Sequence, residues 1–290
     1  MKVKKAVLPV AGFGTRLLPA SKSIPKEMVT VVDRPAIDYV VQEAIEAGID
    51  TIVLVTHPAK HSIENYFDRN AELETLLETK KKDSILAEIR AILPEHVQVV
   101  AVRQSAPLGL GHAVLCAEKI IGNEPFAVLL PDVLIDSADT NNLAQMIEQY
   151  DQSAASQIMV ENVDLSRVDQ YGIVKLAENS DQSAVRNIEA IVEKPKPDVA
   201  PSTLAVVGRY VFDPAIFKYL HTTQADKSGE IQLTDAIAKL LDEQKVQSFT
   251  LNGLTYDCGS KIGYLKAVVH YALKREDLRT EFSAFINQLK

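Results

Sequence analysis

Gly12 and Gly14 stand between an apolar run, Ala6-Val7-Leu8-Pro9-Val10-Ala11, and a cation, Arg16, and a second cation follows in Pro25-Lys26-Glu27-Met28. Glycines at such a turn let backbone N–H groups approach an oxyanion that a Cβ would hold away. Arg16 and Lys26 supply the opposing charge, so the segment reads as an anion site suited to phosphate. No Gly-Lys-Ser/Thr follows, which excludes a Walker A loop, and Leu17 occupies the third-glycine position of a dinucleotide fingerprint. The plainer reading that stays open is an ordinary strand-to-helix turn.

Four further constellations carry possible chemistry. In Val102-Arg103-Gln104 and Pro107-Leu108-Gly109-Leu110-Gly111-His112-Ala113 a strand passes through a glycine loop into a helix. Such a loop can press its backbone against a planar base, and the Gln104 amide, donor and acceptor at once, suits the edge of a pyrimidine. Asp132 closes Leu129-Leu130-Pro131-Asp132 at the carboxyl end of an apolar strand, the edge where open α/β sheets bind ligands. Beside phosphates it can hold Mg²⁺, which needs only one or two protein carboxylates; otherwise it caps the next helix. In Tyr171-Gly172-Ile173-Val174 and Val192-Glu193-Lys194-Pro195, Glu193 can accept from sugar hydroxyls, Lys194 suits a sugar phosphate and Gly172 admits a flat ring. A plain exposed Glu-Lys pair is the competing reading. Asp257, in Tyr256-Asp257-Cys258-Gly259, is either a second carboxylate for the same metal or the cap of the helix that follows. No Ser/His/Asp or Cys/His arrangement demands a covalent intermediate, and the six histidines are scattered, His112 reading as structural.

The elements that must position these groups follow from periodicity. Lys5–Val10 reads as a strand, then Ile37, Val40, Val41, Ala44 and Ile45 recur at helical spacing, then Thr51–Thr56 is a strand. Asp33 and Pro35 read as the cap and first-turn proline of that helix, and Gly48 as its terminating glycine. The βαβ rhythm continues through Val97–Val102, a helix over Gly111–Ile121, Phe126–Leu130 and a helix bearing Leu143, Met146, Ile147 and Tyr150. A mainly parallel sheet with helices on both faces is expected. Between them, Asn65 to Leu93 reads as exposed charged helices, with Lys80-Lys81-Lys82 on a solvated face. From about Ser156 strands come closer together, at Gln157–Glu161, Gly172–Leu176, Arg186–Val192 and Leu204–Phe212, and should extend the sheet antiparallel. Helices return at Pro214–Leu220, Leu233–Leu241 and Ile262–Lys274, with a last one ending near Leu289, while Pro195–Pro201 is a surface loop. The expected organisation is one α/β domain over 1–290, with 1–155 the half that meets the anion and 156–290 the second half plus C-terminal helices.

Composition narrows the partners. A net charge of −8 argues against nucleic acid, which requires a basic face. No apolar run approaches the ~20 residues that span a bilayer. Lys2, Lys4 and Lys5 imitate the start of a signal peptide, but the apolar run behind them breaks at Gly12, so a cytoplasmic chain is expected. The two cysteines, Cys116 and Cys258, form no metal-ligand spacing and read as reduced bystanders.

Taken in order, Gly12-Phe13-Gly14-Thr15-Arg16-Leu17-Leu18-Pro19, Pro25-Lys26-Glu27-Met28, Val102-Arg103-Gln104, Gly109-Leu110-Gly111-His112-Ala113, Leu130-Pro131-Asp132, Val192-Glu193-Lys194-Pro195, Ile231-Gln232-Leu233-Thr234-Asp235 and Asp257-Cys258-Gly259 resemble one family across essentially the whole chain. It is the bacterial UTP:glucose-1-phosphate uridylyltransferases, within the sugar nucleotidyltransferases. The resemblance implies a Rossmann-like mixed sheet flanked by helices, the glycosyltransferase-A-like nucleotidyltransferase fold. It implies that Ala11, Gly12, Gly14 and Thr15 face the nucleotide, that Arg16 and Lys26 clamp its phosphates, and that Gln104 and Gly109 meet uracil. Asp132 and Asp257 would hold Mg²⁺, Gly172 and Glu193 would contact glucose, and Lys194 its phosphate. The implied substrates are UTP and glucose 1-phosphate, and the implied assembly is a homo-oligomer, dimer or tetramer. The stretch Val29-Thr30-Val31-Val32-Asp33 departs from the Leu-Pro that many members carry after the methionine, which is expected to be local packing variation. Two alternatives stand beside this reading: a relative preferring dTTP, and a non-catalytic regulatory paralogue, against which the Thr15-Arg16 pair speaks.

Overall fold

The computed structural model describes residues 2–137, 140–178 and 185–289. In chain order its strands are β1 (Lys5–Pro9), β2 (Thr30–Val31), β3 (Arg34–Pro35), β4 (Thr51–Thr56), β5 (Gln98–Arg103), β6 (Phe126–Leu129), β7 (Val133–Asp136), β8 (Ser156–Asn162), β9 (Gly172–Leu176), β10 (Val185–Glu193), β11 (Leu204–Phe212), β12 (Val246–Thr250) and β13 (Leu254–Asp257). Nine of them form one sheet in the order β5-β4-β1-β6-β11-β8-β12-β10-β9, while β13 pairs with β7 and β2 with β3.

The strands from β5 to β6 in this order are parallel to one another. Successive side chains of a strand face opposite sides, and here both sides are apolar. Ala6 and Leu8 of β1 and Ile52 and Leu54 of β4 pack with the helices Ala36–Glu46 and Asn142–Ser153. Val7, Val53 and Val55 pack instead with Gly109–Cys116, Ile216–Thr222 and Leu233–Leu241. Burial on both faces is why these strands read as unbroken apolar runs, each enclosed Val, Leu or Ile contributing roughly 1.5–3 kcal/mol.

Beyond β6 the direction reverses. β11 is antiparallel to β6, β8 to β11, and β10 to both β12 and β9. The expected antiparallel extension fails at β12, which runs parallel to β8. Its sequence, Val-Gln-Ser-Phe-Thr, holds only two apolar residues and carries no clean alternation, which is why periodicity passes over it.

Local expectations differ from the structure in three places. Asp33 does not cap the helix Ala36–Glu46: Pro35 occupies the cap position without a side-chain bond, and Asp33 pairs with Arg275 at 2.5 Å. The helix expected over Gly111–Ile121 divides at Ala117 into Gly109–Cys116 and Glu118–Ile121. Lys80-Lys81-Lys82 lie in the turn between the helices Ala71–Thr79 and Asp83–Arg90, exposed, with Lys81 at φ +53. Among the described residues no helix is long and apolar enough to cross a membrane.

Candidate active site

The carboxyl ends of the parallel strands deliver the chemistry. The β1 ladder continues one residue past the strand, Val10 N–H donating to Val55 O at 2.8 Å, and then opens into the glycine loop. Gly14 takes the left-handed conformation at φ +65, which glycine adopts without a Cβ penalty. A Cβ there would also fall 2.9 Å from Lys26 Cβ, so Gly14 makes room for the lysine stem. At Gly12 the space is open, with nothing within 4 Å of a built Cβ.

β6 ends at Leu129 and Leu130-Pro131 lead into Asp132, after which β7 returns beside β13 with Val133 opposite Asp257. Cys258 N–H donates to Asp132 O at 2.7 Å. Two carboxylates far apart in sequence therefore lie side by side. A Cβ at Gly259 would fall 2.6 Å from Asp132 Oδ2, 2.8 Å from Arg16 Nη2 and 2.9 Å from Asp257 Oδ1, so three functional side chains surround one glycine. Lys26 Nζ reaches Asp132 Oδ2 at 2.5 Å and Arg16 Nη1 reaches Asp257 Oδ2 at 3.1 Å. The capping alternatives fall away: Asp132 precedes a strand, and the helix Lys261–Lys274 is capped by Ser260, whose Oγ accepts from Gly263 N–H. Asp257 accepts from Gly259 N–H at 2.9 Å through the oxygen that does not meet Arg16.

The electrostatics are those of an interlocked charge set. Burial alone would raise the Asp132 carboxyl, but the Lys26 ammonium beside it holds its pKa below the usual aspartate value. Burial alone would depress Lys26, yet Asp132 and Glu27 outweigh it and hold its pKa above the usual lysine value. Burial, with Asp132 and Asp257 nearby, pushes the Cys258 thiol up to about 12. Two carboxylates converging beside two cations fit a hard divalent cation, which takes the rest of its shell from water and ligand oxygens. Among the described residues no larger His/Cys/Asp/Glu group of metal-binding shape occurs.

The segments around Gln104 and Glu193 share a wall. Gln104 is buried, and its Nε2 donates to Gly109 O at 3.1 Å and lies 3.0 Å from His112 Nδ1, so His112 orients the amide. Gly109, at φ +92, would place a Cβ 2.8 Å from Glu230 Cβ; Gly111 N–H donates to Ile231 O at 2.8 Å and Ile231 N–H to Leu108 O at 2.7 Å. Three residues further, Thr234 Oγ1 donates to Glu193 Oε2 at 3.0 Å, and a Cβ on Gly172 would lie 2.8 Å from Thr234 Cγ2. Lys194 Nζ meets Glu193 Oε1 at 3.0 Å from a backbone at φ +43, a conformation that costs a side-chain-bearing residue free energy. Burial raises the pKa of the neighbouring Tyr171 phenol against the opposing pull of Arg167, and the Asp257 charge adds to the rise.

The structure thus brings Arg16, Lys26, Asp132 and Asp257 into one cluster, Gln104 and Gly109 into a second, and Gly172, Glu193 and Lys194 into a third. Sequence reasoning missed Thr234, Gly259 and the Glu27–Lys60 pair. Thr234 and Gly259 sit inside motifs already singled out. Glu27 and Lys60 are both buried and joined by contacts of 3.0 and 2.8 Å directly behind Lys26; nothing in the spacing of residues 27 and 60 signals that pairing. A cavity of about 850 Å³ lies elsewhere, lined by Asp33, Arg34, Glu43, Asp136 and Arg275, with its arginines already paired to carboxylates.

Residues 5–274 match the profile of the family described as Nucleotidyl transferase. The chain belongs to that family. Among curated proteins, the UTP–glucose-1-phosphate uridylyltransferase of Haemophilus influenzae is 52% identical over 98% of this chain and 98% of its own. Among solved structures, the UTP-bound UGPase from Acinetobacter baumannii is 59% identical with a TM-score of 0.93, covering 99% of this chain and 100% of its own. A UDP-glucose pyrophosphorylase complexed with UDP-glucose is 41% identical with a TM-score of 0.85, covering 94% of this chain and 100% of its own. The resemblance read from the motifs is borne out, and this nucleotidyl transferase is an enzyme.

Proposed function

We propose that the chain transfers the uridylyl group of UTP to glucose 1-phosphate, forming UDP-glucose and pyrophosphate. The observation that carries this reading is the convergence of Arg16, Lys26, Asp132 and Asp257 around Gly259 at the carboxyl edge of the sheet, in a chain 52% identical to a curated uridylyltransferase. A phosphate oxygen of glucose 1-phosphate bonds to the α-phosphorus of UTP while the bond to the bridging β-phosphate oxygen breaks and pyrophosphate leaves. One anion must approach another, and the protein's task is positioning and charge stabilisation.

Arg16 and Lys26 answer that repulsion from fixed positions, which spares reorganisation as the reaction proceeds. Each is matched by a carboxylate, Arg16 by Asp257 and Lys26 by Asp132, and those two carboxylates would hold the divalent cation. The divalent cation, Mg²⁺ in this reading, supplies Lewis-acid stabilisation of phosphate charge when bound. Ala11, Gly12, Gly14 and Thr15 face the nucleotide phosphates, Gln104 and Gly109 meet uracil, Gly172 and Glu193 hold glucose, and Lys194 holds its phosphate. No protein nucleophile enters. The active form is a cytoplasmic homo-oligomer, dimer or tetramer; Ile262, Leu265 and Phe285, exposed on the two C-terminal helices, give it apolar surface to bury.

The test is pyrophosphate release from UTP, dTTP, CTP, ATP and GTP, each with glucose 1-phosphate and Mg²⁺, with and without EDTA. Metal-dependent release with UTP alone is expected. Equal or greater release with dTTP would move the assignment to a thymidylyl relative, and no release with any nucleotide would make the chain a non-catalytic binder.

A further inference from the structure

Heading the large side chains that the fold encloses completely is a cation, Arg209 on β11, at 0% exposure. A buried charge is costly unless its donors are met, so the identity of its acceptors is informative. Nε and Nη2 fork onto Glu43 of the helix Ala36–Glu46 at 3.0 and 2.7 Å. Nη1 donates to Leu130 O at 3.2 Å and Gly208 O at 3.3 Å, and Nη2 donates also to Val133 O at 2.7 Å. Leu130 and Val133 are the residues on either side of Pro131-Asp132.

The strand is shaped to receive that loop. Leu130 N–H donates to Gly208 O at 2.9 Å, and a Cβ on Gly208, at φ +75, would fall 2.7 Å from Leu130 Cδ1. The pairing of β11 with β8 shifts register between Val206 and Tyr210, across the same residues. Packing alone does not ask for a guanidinium here, because an apolar replacement of a buried ion pair is often neutral or stabilising.

We propose that Arg209, anchored by Glu43, is a positioning residue for Asp132: it fixes the carbonyls on both sides of the carboxylate that holds the metal, and so fixes the direction of that carboxylate. The inference rests on the reading of Asp132 and Asp257 as the metal carboxylates. Arginine is required because its planar fork reaches Glu43 and both carbonyls together, whereas lysine offers a single nitrogen.

The experiment measures Mn²⁺ binding to the UTP-loaded enzyme by electron paramagnetic resonance, alongside thermal unfolding. It compares the parent, Asp132→Asn, Arg209→Lys and the double variant Arg209→Met/Glu43→Leu, which removes both buried charges together and so keeps a folded arm if Arg209→Lys fails to fold. Asp132→Asn is expected to weaken Mn²⁺ binding most, to the level the UTP oxygens alone provide, and the folded Arg209 variants to weaken it by about 10- to 100-fold, as changes behind a metal ligand do. Metal-free UTP binding is expected to stay at the parental level. Folded Arg209 variants that bind Mn²⁺ like the parent, while Asp132→Asn does not, would overturn the positioning role alone. Mn²⁺ binding as tight as the parent's in Asp132→Asn would overturn the metal assignment and the inference with it.

Discussion

The two ends of the cleft are built on different principles. At the phosphate end, Lys26 and Asp132 are largely enclosed, with side chains 20% and 10% exposed, and the buried Glu27–Lys60 pair stands behind them. At the sugar end, Lys194 is 54% exposed and is aimed by a strained backbone and by Glu193, which Thr234 holds. Charge that must be in place before the reaction starts is locked into the parallel part of the sheet, where low dielectric strengthens it. In the proposed function, the sugar and its phosphate are left to the more exposed side chains on the antiparallel part.

The strongest way to break that contrast is within the phosphate end itself. Lys26→Ala and Arg16→Ala are each expected to lower kcat by about 10²–10³-fold or more, as loss of a preorganised electrostatic partner does. They should part company in stability. Lys26→Ala leaves a buried carboxylate unpaired and is expected to cost about 3 kcal/mol, whereas Arg16, with a side chain 63% exposed, is expected to leave the melting temperature near the parent's. The pH dependence carries the same signature. Asp132 is depressed below 3.8, so its contribution is present above that pH and lost as pH falls through the folded value. Lys26 is raised above 10.5, so its contribution is present below that pH and lost as pH rises through the folded value. A parent-minus-Lys26→Met melting difference that is flat at neutral pH and shrinks at both extremes is the expected profile; one that changes between pH 5 and 9 would disprove it.

A smaller effect sharpens the sugar side. Glu193→Gln and Lys194→Ala are expected to raise the KM for glucose 1-phosphate about 10-fold, the loss of roughly one charged hydrogen bond, with the KM for UTP unchanged. Thr234→Val should shift the same constant by less, because it removes a partner of Glu193 and not a substrate contact. Equal shifts in both KM values would merge the two regions into one. The smallest expected effect is chemical: Cys258, buried with its thiol pushed up to about 12, should resist a thiol reagent at pH 8 until the protein unfolds. Rapid labelling of Cys258 in the folded enzyme would show that the carboxylate cluster opens readily.

Most of this arrangement was legible in the sequence, for reasons that differ by element. β4, β9 and β11 match their expected limits, because β-branched apolar runs bounded by turns encode a strand locally. Asp132 was legible as a carboxylate at a strand end and Asp257 as one leading into a helix, but each left a capping role open. Only the β7–β13 ladder and the Cys258-to-Asp132 bond resolve that choice, and both are long-range. Arg209 and Lys60 were invisible for the same reason: a lone cation in a strand or loop says nothing about the carboxylate that will meet it from another element. Asp33 misled because a cap residue's type is read locally, while its actual partner, Arg275, arrives from the far end of the chain.

The ladder between β7 and β13 has one more consequence, for the order in which the molecule is made. Asp257 and Gly259 are translated long after the glycine loop, Gln104 and Asp132. A chain that has emerged only through β7 carries the glycine loop and Asp132 but neither Asp257 nor Gly259, so Arg16 still lacks its partner. The pair of carboxylates is therefore completed only when β13 joins β7, so the cluster depends on a segment made near the end of synthesis.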